Sequence, residues 1–321
     1  MAMNQQPRSL PPFAQWALTR RLPCAVLATL MYGTVLAFAG SVLSLPLLVL
    51  HVLTPALFAL ITLGGGLAFA MQVAVVAAVG VTLLTGGELG PGLLMLILYA
   101  ALPVLAATTL AQQGGVSRSA LNLAIGLVTT MLVVLMTGAG SDGGTALEYV
   151  RQLLAPLFEA SRQEGMDPVM LLRIEEMTAW IFPGLTALCL WLVWWGNVML
   201  ARNIAVYYGF YRGDVQPVSS FSLPRTVAYG FMLLMLVASL AGGTPQYLAV
   251  NAGLVFAGLL SAQGLAVVHT WLYAKRLQIA AIVMYVMLLI QPAMVLPFAM
   301  IGLLDIWFDY RRNIMPADGG K

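Results

Sequence analysis

The feature that most constrains this chain is a long uncharged stretch: from Pro23 to Gly87 there is no Asp, Glu, Lys or Arg. A soluble domain carries about a quarter charged residues, whereas 8% of this chain is charged and 61% is hydrophobic. One aqueous core cannot bury so much apolar chain, but a lipid bilayer can solvate it. Because helices satisfy their own backbone hydrogen bonds in lipid, the sequence predicts an all-α, polytopic transmembrane helical bundle.

The number of spans follows from segment length, since crossing a bilayer takes about 20 mostly apolar residues. Paired glycines such as Gly86 and Gly87 indicate turns between such segments. The predicted spans are 23–41, 42–63, 66–86, 91–111, 119–138, 179–201, 226–241, 246–270 and 278–303. We favour nine crossings, and eight remain an alternative.

These spans divide the chain into five predicted regions. The regions are a cytoplasmic N-terminal segment at 1–22, five transmembrane helices at 23–138, an external amphipathic helical loop at 139–178, four transmembrane helices at 179–303 with a cytoplasmic loop at 202–225, and a C-terminal tail at 304–321. The first apolar run has no convincing cleavage site after it, so we interpret it as a retained span rather than a signal peptide.

The distribution of Lys and Arg predicts the orientation, because cytoplasmic loops are enriched in both. With the N-terminus inside, the cytoplasmic side of a bacterial inner membrane collects most of the fifteen basic residues. These are Arg8, Arg20, Arg21, Arg118, Arg202, Arg212, Arg225, Lys275 and Arg276.

The end of the chain departs from this pattern, because a ninth crossing would place Arg311 and Arg312 outside. Either the tail is external, or the region of Pro292 and Pro297 forms a re-entrant hairpin. Asp305 lies close before the two arginines, and local ion pairs are the favoured interpretation there over a cation site.

The external segment has helical spacing of apolar residues opposite charged ones, with Leu147, Val150 and Leu154 on the apolar side. Asp167 and Pro168 are predicted to cap a second helix that leads into the sixth span. The segment is either a helix lying in the membrane interface or a lid over an external opening, and we favour the first.

Several function classes lack support in the sequence. The basic residues form no stripe for nucleic acid, and two histidines with two apolar cysteines suggest no metal site. No glycine loop ends in Lys-Ser or Lys-Thr, so we expect no ATPase activity. We therefore predict a protein that is not an enzyme and that uses no cofactor.

Polar side chains within the predicted spans are the candidates for binding a ligand, because each needs a partner in lipid. The ligand-binding candidates are Asn251, Gln263, His269 and Gln291. If they converge on one cavity, they can hydrogen-bond a small uncharged or weakly charged molecule. The alternative for each amide is a hydrogen bond to a neighbouring helix, and for His269 a packing role.

Two ladders of small residues allow helices to approach closely. The candidates are Ala70, Ala74 and Ala78 in the third span, and Gly253, Ala257 and Ser261 in the eighth. They form either a docking face for a membrane partner subunit or tight packing within the monomer, which we favour. The aromatic and basic loop from Arg202 to Arg225 fits equally well a membrane interface or a surface that recruits proteins.

Three segments carry a resemblance to a known family: Gln263 to His269, Gly302 to Arg311, and Phe221 to Arg225. They resemble the YybS-like family of bacterial polytopic membrane proteins, which is distantly similar to the substrate-binding subunits of energy-coupling-factor vitamin transporters. The resemblance implies a multi-span inner-membrane protein. It also implies docking on a membrane partner through an alanine ladder, although the alanines here fall on the third span rather than the first.

The sequence thus favours a small-molecule binding or transport subunit within the lipid bilayer. The alternative is a structural or assembly protein that recruits partners through its loops.

Overall fold

The computed structural model describes residues 10–38, 44–112, 115–141, 144–163, 167–217, 220–291 and 295–314. All its regular elements in these ranges are helices. They are α1 (Pro12–Thr19), α2 (Arg21–Ala37), α3 (Ser44–Leu84), α4 (Leu89–Leu94), a π-helix (Met95–Ala101), α5 (Leu102–Ala111), α6 (Gly115–Ser141), α7 (Ala146–Gln163), α8 (Pro168–Tyr207), α9 (Arg225–Leu240), α10 (Gly243–Ala274), α11 (Gln278–Ile290), α12 (Val295–Phe308) and α13 (Tyr310–Ile314). The all-α prediction is confirmed for this part of the chain.

Five helices are long and apolar enough to cross a membrane. They are Pro46–Leu84, Leu89–Ala111, Gly115–Gly140, Pro168–Tyr207 and Gly243–Ala274. Shorter apolar helices occupy Arg21–Ala37, Arg225–Leu240, Gln278–Leu288 and Val295–Phe308. The first eight predicted spans each coincide with one of these helices or with part of one.

The chain forms two compact units, which we describe separately. Unit 1 comprises Met1–Leu123 and Trp191–Gln216, and unit 2 comprises Ala124–Leu190 and Pro217–Lys321. Helices α6 and α8 therefore contribute residues to both units.

In unit 1, α3 is broken at Gly66, whose φ is 82°. This conformation is accessible mainly to glycine. The ring of His51 binds the carbonyl of Tyr32, and the hydroxyl of Thr29 donates to the carbonyl of Ala77. In one straight helix, residues 51 and 77 would lie about 39 Å apart, yet both contact the same turn of α2. The chain therefore reverses at Gly66, as the boundary between the second and third predicted spans requires.

The core of unit 1 lies where both halves of α3 pack against α2. Ala70 and Ala74 are fully buried there and Ala78 is 8% exposed. The hydroxyl of Thr29 lies so close to Gly80 that a Cβ at that position would overlap it. The first small-residue ladder therefore brings helices of the same chain together.

Helix α10 is the centre of unit 2 and packs against α9 and α12. Gly253 lies against Met235 of α9, and Ser261 donates hydrogen bonds to the carbonyls of Ala257 and Val295. Further along, Gly264 and Gly302 meet backbone to backbone, since a Cβ on either would overlap a carbonyl of the other helix. The second ladder also serves packing within the chain.

The predicted span at 278–303 is not one continuous helix. Two helices, α11 of 13 residues and α12 of 14 residues, replace it, and each is only about 20 Å long. A guanidinium nitrogen of Arg311 donates to the carbonyl of Phe221 at 2.8 Å, which places it beside the segment before α9. The re-entrant hairpin and the ninth crossing both stay predictions. Pro292 lies outside the described residues, and Pro297 lies within α12.

The segment at 139–178, which the sequence predicts to be an external helical loop, is mostly helical over its described residues. Thr145 and Glu148 form a reciprocal capping box at the start of α7. The backbone N–H of Thr145 donates to Oε2 of Glu148 at 2.6 Å, and the backbone N–H of Glu148 donates to Oγ1 of Thr145 at 3.2 Å. Asp167 caps α8 through a 3.0 Å hydrogen bond from the amide of Val169. Val150 is buried whereas Leu153 is 58% exposed, so the apolar face of α7 is only partly covered by the described residues.

Candidate functional site

The first group of candidate residues in unit 2 lies where Pro183 interrupts α8. Proline lacks an N–H, so the carbonyl four residues earlier loses its helical partner. That carbonyl, of Ala179, accepts a 2.8 Å hydrogen bond from the hydroxyl of Tyr247. Asn251 lies one turn after Tyr247 on α10. Its side chain contacts the next two backbone groups of α8, the carbonyl of Trp180 and the N–H of Gly184.

The side-chain amide of Asn251 contacts α8 at the turn that contains Pro183. Its Oδ1 accepts from the N–H of Gly184 at 2.7 Å, and its Nδ2 donates to the carbonyl of Trp180 at 3.0 Å. These two backbone groups would bond to each other in an unbroken helix. Asn251 is fully buried, so its amide gives these two backbone groups partners within the protein.

Gln263, also fully buried, connects α10 to two other segments. Its Oε1 accepts from the N–H of Leu223 at 2.9 Å, and its Nε2 donates to Asp305 at 2.8 Å. Asp305 forms a 3.0 Å ion pair with Arg311 and also accepts from the N–H of Tyr310. The local ion pair that the sequence favours is therefore present.

This network joins the three segments on which the family resemblance depends. Phe221 and Leu223 belong to the segment before α9, Gln263 to the segment in α10, and Asp305 and Arg311 to the segment that begins at Gly302. Asp305 is 3% exposed, and a carboxylate so deeply buried needs both a cation and hydrogen-bond donors. These segments supply them, so residues far apart in sequence depend on one another for satisfied hydrogen bonds.

His269 lies in a different place, in a groove of about 270 Å³ between α10 and α11. Its Nδ1 shares a 3.3 Å hydrogen bond with the hydroxyl of Tyr285, and its ring stacks with that of Tyr273. Gln278 and Ile282 also line the groove. The groove therefore offers aromatic faces, an imidazole and an amide to a small molecule.

The four ligand-binding candidates do not meet in one cavity. Asn251 and Gln263 bind groups of the protein itself, and His269 lines the groove. Gln291 is exposed at the end of α11, where its backbone N–H donates to the carbonyl of Met287. Of these candidates, His269 is the one that faces a groove in the described part of the chain.

Sequence reasoning missed a polar cluster in unit 1. His51 donates from Nδ1 to the carbonyl of Tyr32 at 3.0 Å, so its neutral Nε2 accepts from the hydroxyl of Tyr99 at 2.7 Å, as a neutral imidazole can. The rings of Tyr32, Tyr99 and Trp194 pack edge to face around it, a favoured aromatic geometry. A lone histidine in an apolar run gives no signal of this cluster.

Tyr99 lies on the π-helix, a rare element that is frequent at functional sites. Its turns pair residues five apart, as the bond from the N–H of Leu102 to Ile97 shows. Pro103 cannot donate to Leu98 in that pattern, and the indole N–H of Trp194 takes its place at 2.5 Å. A side chain of α8 thus compensates a proline in unit 1, as Asn251 and Tyr247 do in unit 2.

Two titratable groups outside the spans have shifted pKa values. The capping hydrogen bond from the backbone of Thr145 holds the pKa of Glu148 below its usual range, because it stabilises the charged carboxylate. Burial raises the pKa of Tyr211, in the loop after α8, and the nearby Arg202 partly offsets that shift.

Comparison with known proteins supports a membrane protein. Among the described residues, no three His, Cys, Asp or Glu side chains are grouped as a metal site would require. No curated protein and no solved structure matches the chain. The family model described as "Predicted membrane protein (DUF2232)" matches residues 34–306, which is most of the sequence. The chain therefore belongs to the DUF2232 family of predicted membrane proteins.

Proposed function

We propose that this protein is a non-enzymatic membrane protein that binds a small molecule in the groove between α10 and α11. The observation that carries the proposal is the grouping of His269, Tyr273 and Tyr285 around an open space of about 270 Å³. That volume is close to the lower end of ligand pockets in general.

The lining of this groove suggests the chemistry of the ligand. The rings of Tyr273 and Tyr285 are 65% and 48% exposed, and such rings can stack on a flat ligand. His269 and Gln278 can each donate or accept one further hydrogen bond at the edge of that ligand. A small aromatic or heteroaromatic molecule with few charges fits these groups.

We further propose that the chain resembles the YybS-like proteins and, distantly, the substrate-binding subunits of energy-coupling-factor transporters. The sequence holds no nucleotide-binding loop, so active uptake would depend on an ion gradient or on a partner subunit. Ala70 and Ala74 are buried within unit 1. A partner would therefore dock on another surface.

The test is ligand-dependent stabilisation of the purified protein in detergent. A panel of vitamins and other small heteroaromatic metabolites is screened for a rise in melting temperature, which binding to the folded state produces. The leading compound is then titrated against His269→Asn and Tyr285→Phe. Tyr229→Phe is the matched control, because Tyr229 is similarly exposed but lies on α9.

We expect the control to bind like the original protein and both groove variants to lose at least tenfold in affinity. The proposal is wrong if no compound in the panel raises the melting temperature, or if the groove variants bind the leading compound unchanged.

A second candidate, an assembly protein, is favoured by the internal use of Asn251 and Gln263, which leaves neither amide for a ligand. Its recruiting surface would be the end of α8 and the loop that follows it, where Tyr207 and Arg212 are exposed. A photocrosslinking residue at position 207 should then capture one reproducible protein in cells. The same residue at Tyr229 provides the control, and equal capture from both positions would refute this candidate.

A further inference from the structure

Unit 1 contains a second cavity, which lies far in sequence from the groove of the proposed function. It has a volume of about 290 Å³ and is lined almost entirely by apolar side chains. Leu18 of α1, Ile61 and Phe69 of α3, and Phe210 after α8 form its walls. Among the described residues of the lining, Thr19 carries the one polar side chain.

Glycines at the chain reversal of α3 leave this space open. A Cβ on Gly64 would stand in ordinary contact with the ring of Phe210, at 3.5 Å. Any larger side chain at position 64 would therefore extend into the cavity. Gly65 lies close to Phe69 and also lines the space.

Thr19, which lines the cavity, is directly followed by two exposed arginines, Arg20 and Arg21. Unit 1 has two acidic residues, Glu88 and Asp214. Within the described ranges neither forms an ion pair with these arginines. The two positive charges that follow Thr19 are therefore available to an external anion.

Helix α1 has the features of a segment at the membrane surface. Trp16 is 48% exposed, and tryptophan is enriched where lipid headgroups meet water. The arginines follow within two turns, on the side that the charge pattern predicts to be cytoplasmic. With α1 at that surface, the cavity would face the headgroups and the first part of the acyl chains.

We propose that this cavity binds one anionic phospholipid of that leaflet. An acyl chain fills the space between Leu18, Ile61 and Phe210, and the phosphate accepts hydrogen bonds from Arg20 and Arg21. Both parts contribute, because the cavity buries apolar area while the guanidinium groups favour a phosphate.

Native mass spectrometry of the purified full chain tests this proposal. The protein is mixed with phosphatidylglycerol or phosphatidylcholine of identical acyl chains, and the fraction carrying one lipid is measured. The variants are the charge variant Arg20→Gln/Arg21→Gln and the cavity-filling variant Gly64→Leu. The matched control is Arg118→Gln/Arg225→Gln, which removes two exposed arginines elsewhere.

We expect the original protein and the control to bind phosphatidylglycerol at least fivefold better than phosphatidylcholine. The charge variant should lose this preference, and the cavity-filling variant should bind both lipids at least fivefold more weakly. Inorganic phosphate at millimolar concentration should not displace the lipid, since it cannot fill the apolar cavity.

Equal binding of the two lipids by the original protein would overturn the proposal, and so would an unchanged preference in the charge variant. Displacement by phosphate alone would show a simple anion site and would also overturn it. Melting temperatures of all variants establish that they are folded. If Gly64→Leu does not fold, Ile61→Phe fills the same cavity. Because the groove near His269 is not altered, failure here leaves the proposed function untouched.

Discussion

The opened turn of α8 leads to a quantitative prediction for Asn251→Ala. The substitution removes the side-chain bonds to Trp180 and Gly184 while leaving the backbone of α10 unchanged. The buried N–H of Gly184 and the partly buried carbonyl of Trp180 then lose these side-chain partners. Because proline disturbs regular helix geometry around it, we expect these two groups to form no full hydrogen bond to each other in the variant.

The expected cost follows from those two groups. An unsatisfied buried backbone group costs about 1–3 kcal/mol in proteins generally, and hydrogen bonds between membrane helices average about 0.6 kcal/mol. We therefore expect Asn251→Ala to lower the free energy of unfolding by about 2 kcal/mol. This value covers both backbone groups and lies between the costs that the two figures give for a pair of groups. Adding Pro183→Ala should recover at least about 1 kcal/mol of that loss, because the helix can then close its own ladder.

The assay is unfolding in mixed micelles with increasing dodecyl sulfate, followed by far-ultraviolet circular dichroism. Asn203→Ala serves as the control, since this amide is exposed and its loss should change the free energy by less than about 0.5 kcal/mol. A cost for Asn251→Ala as small as that of the control would refute the reasoning. An equal cost of Asn251→Ala in the original protein and in the Pro183→Ala background would also refute it.

Three further predictions concern other contacts. Arg311→Met leaves the carboxylate of Asp305 buried without a cation and should lower the free energy of unfolding by about 3–5 kcal/mol, measured as above; a loss below about 1 kcal/mol would contradict it. Gly302→Ala places a Cβ against the carbonyl of Leu260 and should lower the melting temperature clearly, whereas unchanged melting would show that α12 can move aside. Glu148→Ala should speed amide hydrogen exchange in the first turn of α7. Because the folded-state pKa of this carboxyl is lowered, its capping contribution is present at neutral pH and lost as the pH falls through that value. A titration of the Glu148 carboxyl at an ordinary pKa would argue against the cap.

The span boundaries were largely predictable because the signals for them are local. A run of about 20 apolar residues is solvated by lipid regardless of its neighbours, which explains the agreement for the first eight segments. The glycine at position 66 and the Asp167 cap act through their own backbone geometry, so they too could be recognised. The two helices within 278–303 were less predictable, because the length of that apolar segment alone suggests one continuous helix.

The candidate site was less predictable because its partners are remote in sequence. Gln263 and Asp305 are 42 residues apart, and an amide that binds a ligand has the same sequence signature as one that joins helices. His51 had no recognisable pattern at all. Its role depends on Tyr99, which the π-helix positions beside it.

The sequence by itself determined that this chain is helical, that it belongs in lipid, and where most of its apolar helices lie. Hydrophobic solvation and backbone geometry act on each segment separately, so they can be read without knowing the fold. Only the tertiary structure decided which helices meet, that Asn251 closes a gap in α8, and that the end of the chain bonds to the segment before α9. Hydrogen bonds require particular atoms within about 3 Å, and the packing of distant segments sets those distances.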